Sequence, residues 1–446
     1  MTPSFPIDCF NDPSAVGRML QSVLPGFADG SLMITGVQVK KVRRSASKSR
    51  HPNPICACFE LSVSQAATGR SGSQIVYAKV YRPGLDDQAY ARYCIDRLSR
   101  PAFGQAMTWL PDLNMIVWAL PNDPGLPQLQ TLLQSEQLRD VLPWQSMGLV
   151  AKDYGTPSAE LLHYEPEQRA TLSYILQRSD GSARHTVYAK TFSGDLARQV
   201  DERFRYFQSL DSNDPFVPRV ARTLGHDPAI RTFWQAQASG RPLLACLNDP
   251  DLTVVMGRVA GALSALHDAT LRPNPDGEAR TRSYWLTECR RRVVKISRAD
   301  PALGARATAV VDAIDRQASR LPETPLSLIH GDFHPGQLWI HEGRIVLFDF
   351  DEFAWGDPME DLASFIQKFE SVGALPGPIQ ALINSYSRIS PQRFHRNTLN
   401  WHLVIQSLLQ VSRAFIFQSP GWRSAMRDRL AWTEDRAKAL PGGFPS

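Results

Sequence analysis

The spacing of apolar residues divides the chain into a strand-rich first half and a helical second half. Residues 170–176 are rich in β-branched and aromatic side chains, which predicts a strand. Over residues 197–210 the apolar side chains recur every three or four positions, which predicts a helix. Beyond Gly240 this helical spacing dominates the chain. It predicts further helices over 254–267, 285–296 and 401–417.

A short motif occurs twice along the chain and indicates an internal duplication. The tetrapeptide Val-Tyr-Ala-Lys occupies residues 76–79 and again residues 187–190. A turn that contains proline precedes each copy, and a strand that ends in tryptophan, at Trp118 and at Trp234, follows it. Because the matched blocks occur in the same order, we predict that each copy folds as a small antiparallel sheet with one helix.

Composition and charge exclude several classes of protein. With 446 residues, of which 43% are hydrophobic and 21% charged, the chain suits a globular protein of about three domains. A net charge of +5 over this length does not argue for nucleic-acid binding. The first residues lack the pattern of a signal peptide, and no apolar run approaches the roughly 20 residues of a membrane span. We therefore expect a cytoplasmic protein.

The six cysteines are thinly scattered and form no CxxC pair, which fits a reducing compartment. Cys56 and Cys58 share one face of a predicted strand. We interpret them as small buried apolar side chains rather than as metal ligands.

Polar residues with a distinctive spacing follow short apolar strands between residues 328 and 351. The first strand leads to Asp332, Gln337 comes five residues later, and a further apolar strand ends at Asp349. Protein kinases place the aspartate that accepts the substrate hydroxyl proton five residues before an amide ligand of Mg²⁺, and another aspartate completes the metal site. Carboxylate and amide oxygens suit Mg²⁺. The spacing therefore indicates phosphoryl transfer.

The same stretch resembles the aminoglycoside phosphotransferase and choline kinase family, whose members are relatives of protein kinases. The resemblance implies an α+β, bilobal, protein-kinase-like fold with a small antiparallel β lobe and a helical large lobe. The repeat then adds an N-terminal domain that duplicates the small lobe. The matching segments are 330–334 together with Gln337, 349–351, 356–358 and 361–363.

This resemblance also implies a domain division and a reaction. Residues 1–145 would form the additional domain, without a catalytic role, residues 146–238 the small lobe, and residues 239–446 the large lobe with the catalytic loop. The reaction would be Mg²⁺-dependent transfer of the γ-phosphoryl group of ATP to a hydroxyl of a sugar, an amino alcohol or an aminoglycoside. Beyond this acceptor we expect no nucleic-acid or membrane partner, and the sequence leaves the oligomeric state open.

Each residue of the motif acquires a role from the resemblance. Asp332 would orient and deprotonate the acceptor hydroxyl, while Gln337 and Asp349 would hold Mg²⁺. Asp351 would assist a second ion or a cationic group of the substrate. Three further residues would support the loop by hydrogen bonds: His330, His334 and Asp361. For His334, proton transfer is the alternative role.

Two lysines are candidates for the contact with the phosphates of ATP, and we distinguish them by whether an acidic residue follows at the expected distance. Lys190 is followed twelve residues later by Glu202 on the predicted helix, whereas the same offset from Lys79 reaches Ala91. By the resemblance, Lys190 would contact the α- and β-phosphates and pair with Glu202, with Asp201 as the second choice. We interpret Lys79 as a relic or a solvated strand residue.

The remaining nucleotide contacts follow the same resemblance. Residues 233–237 would form the hinge whose backbone binds adenine, which places Gln235 and Gln237 at the nucleotide. No glycine-rich loop of the kinase type occurs, so the turn 166–169 would cover the phosphates, and Arg169 would add a contact.

One departure from the family pattern motivates an alternative function. Family members usually have asparagine where Gln337 stands, and the longer side chain could misplace Mg²⁺, which demands near-octahedral geometry. The alternative is a catalytically weak or inactive nucleotide-binding scaffold. The retained aspartates and the Lys190–Glu202 combination favour the enzyme.

Overall fold

Two compact units make up the chain. The computed structural model describes residues 7–44, 55–81, 98–210, 214–271, 278–418 and 420–441. The first unit comprises Met1–Ala197, His226–Trp234 and Ile416–Trp422, and the second comprises Arg198–Gly225, Gln235–Phe415 and Arg423–Ser446. The predicted division into three domains, at residues 145 and 238, stays a prediction.

An antiparallel sheet of five strands, called the first sheet, occupies the amino-terminal part of the first unit. Its elements are α1 (Pro13–Val23), β1 (Leu32–Arg44), β2 (Ile55–Gln65), β3 (Arg70–Val80), β4 (Met107–Leu110) and β5 (Met115–Ala119). The strands lie in the order β1-β2-β3-β5-β4. Asp12 caps α1 by accepting the amide of Ser14 at 2.9 Å, and Val16 and Leu20 of the helix join the buried core of the sheet. Cys56 and Cys58 are both buried.

A second antiparallel sheet, called the second sheet, has the same topology. The elements of this region are α2 (Leu129–Leu133), α3 (Ser135–Val141), α4 (Trp144–Met147), β6 (Ser158–Glu165), β7 (Arg169–Gln177), β8 (Arg184–Phe192), α5 (Ala197–Ser209), β9 (Arg219–Val220), β10 (Thr223–Asp227) and β11 (Thr232–Ala236). The second sheet has the order β6-β7-β8-β11-β10, which matches the first sheet strand for strand, as the predicted repeat requires. Lys79 on β3 and Lys190 on β8 occupy equivalent strands. Ala91, at the position that corresponds to Glu202, lies outside the described residues.

Helices dominate the second unit, and two small sheets carry the polar loops around Asp332 and Asp349. Its further elements are α6 (Leu252–His267), α7 (Arg282–Ala299), α8 (Pro301–Ala318), α9 (Pro358–Ser371), α10 (Pro376–Ile389), α11 (Arg396–Phe417), α12 (Trp422–Lys438), β12 (Arg241–Pro242), β13 (Ser327–Ile329), β14 (Leu338–His341), β15 (Arg344–Leu347) and β16 (Ala354–Gly356). One sheet has the order β12-β14-β15-β9, and the other pairs β13 with β16. Helices α6, α7 and α11 contain the three predicted helical ranges, and α5 ends one residue before the predicted boundary.

Burial explains why these helices form. Helix α6 is apolar on nearly every side, and it packs against α10, while α7 packs against α8. A helix that is apolar all round is stable only when other elements cover it. Within the described part of the chain, no helix has the length and apolarity needed to cross a membrane.

An ionisable histidine is buried among aromatic rings of the second unit. His402 on α11 is 1% exposed. Its ring centroid lies 4.8 Å from that of Trp401 and 6.3 Å from that of Trp285. Burial lowers the pKa of this imidazole from 6.5 to about 4, because a charged ring would lose its hydration.

We expect the free energy of unfolding to decrease as the pH falls from 6.5 towards about 4. In this range the unfolded chain binds a proton at His402 and the folded chain does not, so acidification favours unfolding by up to about 3 kcal/mol. Urea unfolding at about pH 7 and about pH 4.5 measures the effect. His402→Leu should lose less stability on acidification than the wild type. The matched variant His341→Leu, at a side chain that is 34% exposed, should behave as the wild type; equal acid sensitivity in all three proteins would contradict the prediction.

Candidate active site

The loop after β13 carries Asp332 in a conformation that requires glycine next to it. Gly331 has a φ of +79°, in the left-handed region. A Cβ at this position would lie 2.2 Å from the carbonyl oxygen of Glu352, so a larger residue would collide with the backbone. Asp332 follows directly, and its carboxylate is 36% exposed. The loop is therefore tightly packed against the protein, while the side chain of Asp332 remains accessible.

A buried carboxylate holds the two residues that precede Asp332. One oxygen of Asp361, near the start of α9, accepts the backbone amide of His330 at 2.7 Å, and the other accepts that of Gly331 at 2.9 Å. The ring nitrogen Nε2 of His267 lies 3.2 Å from the first oxygen. Burial alone raises the pKa of Asp361, but the hydrogen bond and charge of His267, together with His330, keep the pKa below its ordinary value. Asp361 is therefore ionised and fixes the backbone of the loop.

Arg280 holds the same loop through a carbonyl group. Its guanidinium donates to the carbonyl oxygen of Gly331 at 2.9 Å and to the carboxylate of Glu360 at 2.7 Å. Glu360 also accepts the indole N–H of Trp285 at 3.0 Å. Burial raises the pKa of Glu360 to about 7, although Arg280 lowers it. Glu360 and Trp285 thus form part of the hydrogen-bond network that positions Arg280.

Two side chains surround the carboxylate of Asp332. The ammonium of Lys368 lies 2.6 Å from Oδ1, and Nε2 of His334 lies 3.8 Å from Oδ2. The other ring nitrogen of His334, Nδ1, accepts the backbone amide of Gly336 at 3.0 Å. Burial and the nearby charge of Lys368 lower the pKa of His334 to about 4, so the imidazole is neutral near pH 7. Its hydrogen bond to the loop fits the supporting role expected for it.

Gln337 and Asp349 come together, as the spacing predicts. The amide nitrogen of Gln337 donates to Oδ2 of Asp349 at 3.0 Å. Asp349 has a φ of +63°, an uncommon conformation for a residue other than glycine. Within the described residues, no group of three or more histidine, cysteine or acidic side chains could hold a metal ion. One carboxylate and one amide carbonyl suit a Mg²⁺ ion that takes its remaining ligands from phosphate and water.

Helix α5 fixes the segment that carries Asp351. The guanidinium of Arg203 donates to the carbonyl oxygens of Phe350 and, at 3.2 Å, of Asp351. Phe204 of the same helix packs against Phe350, with ring centroids 4.7 Å apart. The Asp351 side chain is buried. The imidazole Nε2 of His330 lies 2.9 Å from the carbonyl oxygen of Phe348, so it also contacts this segment.

The predicted nucleotide residues have the following surroundings. The ammonium of Lys190 lies 5.8 Å from the ring centroid of Phe192. Glu202 forms an exposed ion pair with Arg198 at 2.6 Å, so its pairing with Lys190 stays a prediction. The second-choice partner, Asp201, is buried and binds Arg205 at 3.1 Å.

The remaining nucleotide residues lie on strand ends. Gln235 belongs to β11 and is half-buried, whereas Gln237 follows this strand and is exposed. Arg169 begins β7, and its Nε lies 3.4 Å from Oε2 of Glu165.

The interpretation of Lys79 as a solvated strand residue is wrong, whereas the alternative, that it is a relic, stays a prediction. This lysine is 8% exposed, and its ammonium lies 2.7 Å from each carboxylate oxygen of Glu167. Glu167 belongs to the turn between β6 and β7, which is the turn expected to cover the phosphates. No local spacing signals this ion pair, because Glu167 lies 88 residues from Lys79 along the chain and not on the helix that follows the lysine.

Lys368 is a site residue that the sequence reading missed. It lies seven positions after Asp361 on α9, which is two helical turns, so both side chains leave the same face of the helix. Since Asp361 contacts the residues before Asp332, this spacing was a usable signal for a contact between Lys368 and the same loop.

Residues 168–396, just over half of the chain, match a family described as the phosphotransferase enzyme family. Among solved structures, the chain is similar to a thermostable mutant of the aminoglycoside phosphotransferase APH(4)-Ia in complex with AMP-PNP and hygromycin B, with 17% identity over 65% of this chain and 97% of that chain and a TM-score of 0.48. It is also similar to choline kinase from Cryptosporidium parvum Iowa II, with 11% identity over 67% of this chain and 93% of that chain and a TM-score of 0.49. No curated protein matches the sequence.

We expect Asp361→Asn to destabilise the protein by about 3 kcal/mol. The amide retains the size of the side chain but removes the charge that compensates two backbone N–H groups and His267. Urea unfolding at neutral pH measures this loss. Asp435→Asn removes an exposed ion pair with Lys438 and should leave the midpoint unchanged. A midpoint for Asp361→Asn equal to that of the control would show that the buried carboxylate does not hold the loop.

Proposed function

We propose, on the premise that the chain belongs to the phosphotransferase enzyme family, that it transfers the γ-phosphoryl group of ATP to a hydroxyl of a small molecule. The family match and the α+β, protein-kinase-like architecture agree with the resemblance found in the sequence. The observation that carries the proposal is the environment of Asp332. Its accessible carboxylate lies on a loop that Asp361 fixes by two hydrogen bonds, and rigid placement of this kind is what phosphoryl transfer needs.

Asp332 is the proposed base of the reaction. Its carboxylate accepts the proton of the acceptor hydroxyl as the hydroxyl oxygen forms a bond to the γ-phosphorus. The bond between this phosphorus and the bridging oxygen breaks, and ADP leaves with the electron pair. Lys368, at 2.6 Å from Asp332, holds the carboxylate in place and adds a positive charge beside the reacting groups.

Gln337 and Asp349 are the proposed ligands of Mg²⁺, with Asp351 at a second ion. The amide nitrogen of Gln337 now faces Asp349. A half-turn of the amide presents its carbonyl oxygen instead, so both side chains can offer oxygen to one cation. Bound Mg²⁺ would neutralise charge on the phosphates.

The nucleotide contacts are proposed on the family pattern. Lys190 is the ligand of the α- and β-phosphates, and Glu202 is its acidic partner once it leaves Arg198. The backbone near Gln235 and Gln237 is the adenine hinge, and Arg169 is a further phosphate contact.

A second candidate is a nucleotide-binding scaffold without transfer activity. Two features favour this candidate. The ammonium of Lys368 neutralises the carboxylate of Asp332, and Gln337 stands where the family usually has asparagine. Both candidates predict ATP binding, and only the enzyme predicts transfer.

The proposed location is the cytoplasm. The five cysteines among the described residues, Cys9, Cys56, Cys58, Cys246 and Cys289, are all free thiols, as a reducing compartment favours.

We expect Asp332→Asn to lower the rate of phosphoryl transfer by about 10²–10⁴-fold, because it removes the proton acceptor. ADP release from Mg-ATP with a panel of hydroxyl compounds measures this rate. Binding of Mg-ATP should survive in the variant, with a stabilisation of about 2.7 kcal/mol at 100 times its Kd. Asp315→Asn removes an exposed carboxylate of the same unit and serves as the control. ATP binding without transfer to any acceptor would support the scaffold, and undiminished transfer by Asp332→Asn would refute the assigned base.

A further inference from the structure

A cavity of about 620 Å³ lies in the second unit, among residues of α9, α11 and α12. This volume falls in the range of small-molecule sites. Six of the side chains that line it bear on its chemistry: Lys368, Glu370, Gln410, Arg413, Arg429 and Trp432.

The cavity adjoins the proposed catalytic carboxylate. Lys368 lines it, and the ammonium of the same residue lies 2.6 Å from Oδ1 of Asp332. A molecule that fills this space can therefore present a hydroxyl beside Asp332, which is what an acceptor site requires.

The charge of the cavity wall is positive and largely uncompensated. Glu370 is the acidic lining residue, and its carboxylate already accepts a hydrogen bond from Arg436. Arg429 donates to the carbonyl oxygen of Gln410 at 3.0 Å. Across the described part of the chain, neither Arg413 nor Arg429 has a carboxylate within ion-pair distance.

This arrangement is electrostatically unfavourable in the free protein. Burial is the largest influence on the pKa of Arg413 and lowers it, and the charges of Arg292 and Arg429 lower it further; the carboxylates of Asp332 and Glu352 raise it, without reversing the net decrease. A half-buried guanidinium without a carboxylate at ion-pair distance destabilises a fold, and such departures are typical of functional sites. An anion in the cavity would supply the missing charge.

Uncharged groups of the wall suit a hydroxylated ring. The indole of Trp432 is 36% exposed and stacks on Arg436 with 4.2 Å between the guanidinium and the ring centroid. The amides of Gln410 and Gln367 hydrogen-bond to each other at 3.2 Å, and each retains further donors and acceptors.

We propose that this cavity is the acceptor site and that it selects a hydroxylated ring compound that carries a carboxylate or a phosphate group. The anionic group lies between Arg413 and Arg429, and a hydroxyl lies beside Asp332 and Lys368. This inference rests on the proposed function and adds the charge of the substrate to it. It disfavours polycationic aminoglycosides, because the wall would repel them.

Acceptors that share one skeleton and differ in charge test the proposal. Glucose is neutral, glucosamine is cationic, glucuronate carries a carboxylate, and glucose 6-phosphate carries a phosphate. With Mg-ATP, kcat/KM should be highest for one of the two anions and lowest for glucosamine, and the better anion identifies the charged group. A preference for glucose or glucosamine would overturn the inference and leave the proposed function intact.

A pair of variants ties the selectivity to the cavity. Arg413→Gln should raise the KM of the preferred anion by about 10–100-fold, the value of a hydrogen bond to a charged group. Arg427→Gln, at an exposed position on α12 outside the cavity, should keep the wild-type KM. Equal KM values for the two variants would overturn the assignment of Arg413.

Thermal unfolding with a non-substrate anion gives a readout that does not depend on turnover. Citrate should raise the midpoint of the wild type and of Arg427→Gln more than that of Arg413→Gln, and spermidine should not raise it. If citrate and spermidine act as expected but no phosphoryl group is transferred from ATP, the cavity binds an anionic ligand and the proposed function fails. Stabilisation by spermidine, or equal stabilisation of both variants by citrate, would overturn the inference itself.

A different set of contacts, within the first unit, concerns the turn 166–168 between β6 and β7. Lys79 of the first sheet binds Glu167 of this turn through both carboxylate oxygens at 2.7 Å. Arg43 donates to the carbonyl oxygen of Pro166 at 3.1 Å, and Lys41 forms an ion pair with Glu165. The basic end of β1 is therefore engaged in contacts to the turn.

The loop after β5 also contacts the turn 166–168. Oδ2 of buried Asp123 accepts the backbone amide of Glu167 at 2.9 Å and the hydroxyl of Tyr164 at 2.5 Å. A Cβ on Gly125 would lie 2.5 Å from Cα of Glu167, so the two backbones are in direct contact. Glu167 itself has a φ of +62°, which persists only where surrounding contacts enforce it.

We infer that the first sheet restrains the turn 166–168 in the conformation that covers the ATP phosphates, with Lys79 as a positioning residue. A glycine-rich loop is flexible, and here contacts from the duplicated domain would order a loop without glycines. This inference also rests on the proposed function.

Lys79→Met should raise the KM for ATP several-fold while the KM for the acceptor stays unchanged, because only the nucleotide loop loses its restraint. Lys79→Arg, which keeps the charge, should restore most of the affinity for ATP. The matched control is Lys40→Met, which breaks an ion pair with Glu60 at 2.7 Å in the same sheet and should leave the KM for ATP unchanged. A purely structural role would lower the melting temperature of Lys79→Met with an unaltered KM for ATP, and this result would overturn the inference. Failure of the wild type to bind ATP would instead refute the proposed function.

Discussion

The site depends on one buried charge, the carboxylate of Asp361. A carboxylate removed from water is unfavourable unless hydrogen bonds replace its hydration. Here the replacements are the backbone amides of His330 and Gly331 and the ring of His267. Two of these donors belong to the residues just before Asp332. If the loop moved, the buried carboxylate of Asp361 would lose both hydrogen bonds. The backbone that carries the catalytic candidate is therefore held by this desolvation penalty, while Lys368 contacts the carboxylate of Asp332 itself.

Local patterns in the sequence were sufficient to predict several helices, the two related sheets and one contact of the site. Helical spacing located α5, α6, α7 and α11, and the Val-Tyr-Ala-Lys repeat anticipated two sheets of one topology. The spacing of Gln337 and Asp349 anticipated their contact at 3.0 Å, because Gln337 directly precedes β14 and Asp349 follows β15, and these two strands pair as one hairpin. These inferences succeeded since each depends on residues close in sequence or on a repeated unit.

What the sequence did not reveal depends on pairs that are distant along the chain. Lys79 and Glu167 are 88 residues apart, and Lys368 is 36 residues from Asp332. Arg413 lies on another helix, α11. It matters because no carboxylate among the described residues lies within ion-pair distance of its guanidinium. No spacing rule reports which charges remain uncompensated after folding, so the polarity of the cavity becomes visible only with the packing of α9, α11 and α12.

The duplicated lysines show how one position acquires two kinds of chemistry. Lys79 and Lys190 end the same motif on equivalent strands, β3 and β8. In the first copy the charge is neutralised by a carboxylate of the protein, Glu167, and the ammonium is nearly buried. In the second copy the proposed partner is a phosphate. A lysine already held by two carboxylate oxygens has little capacity left for ATP, so the ion pair that orders the turn would also confine nucleotide binding to the second sheet. The loss of one binding site and the restraint of the other would then be consequences of a single contact.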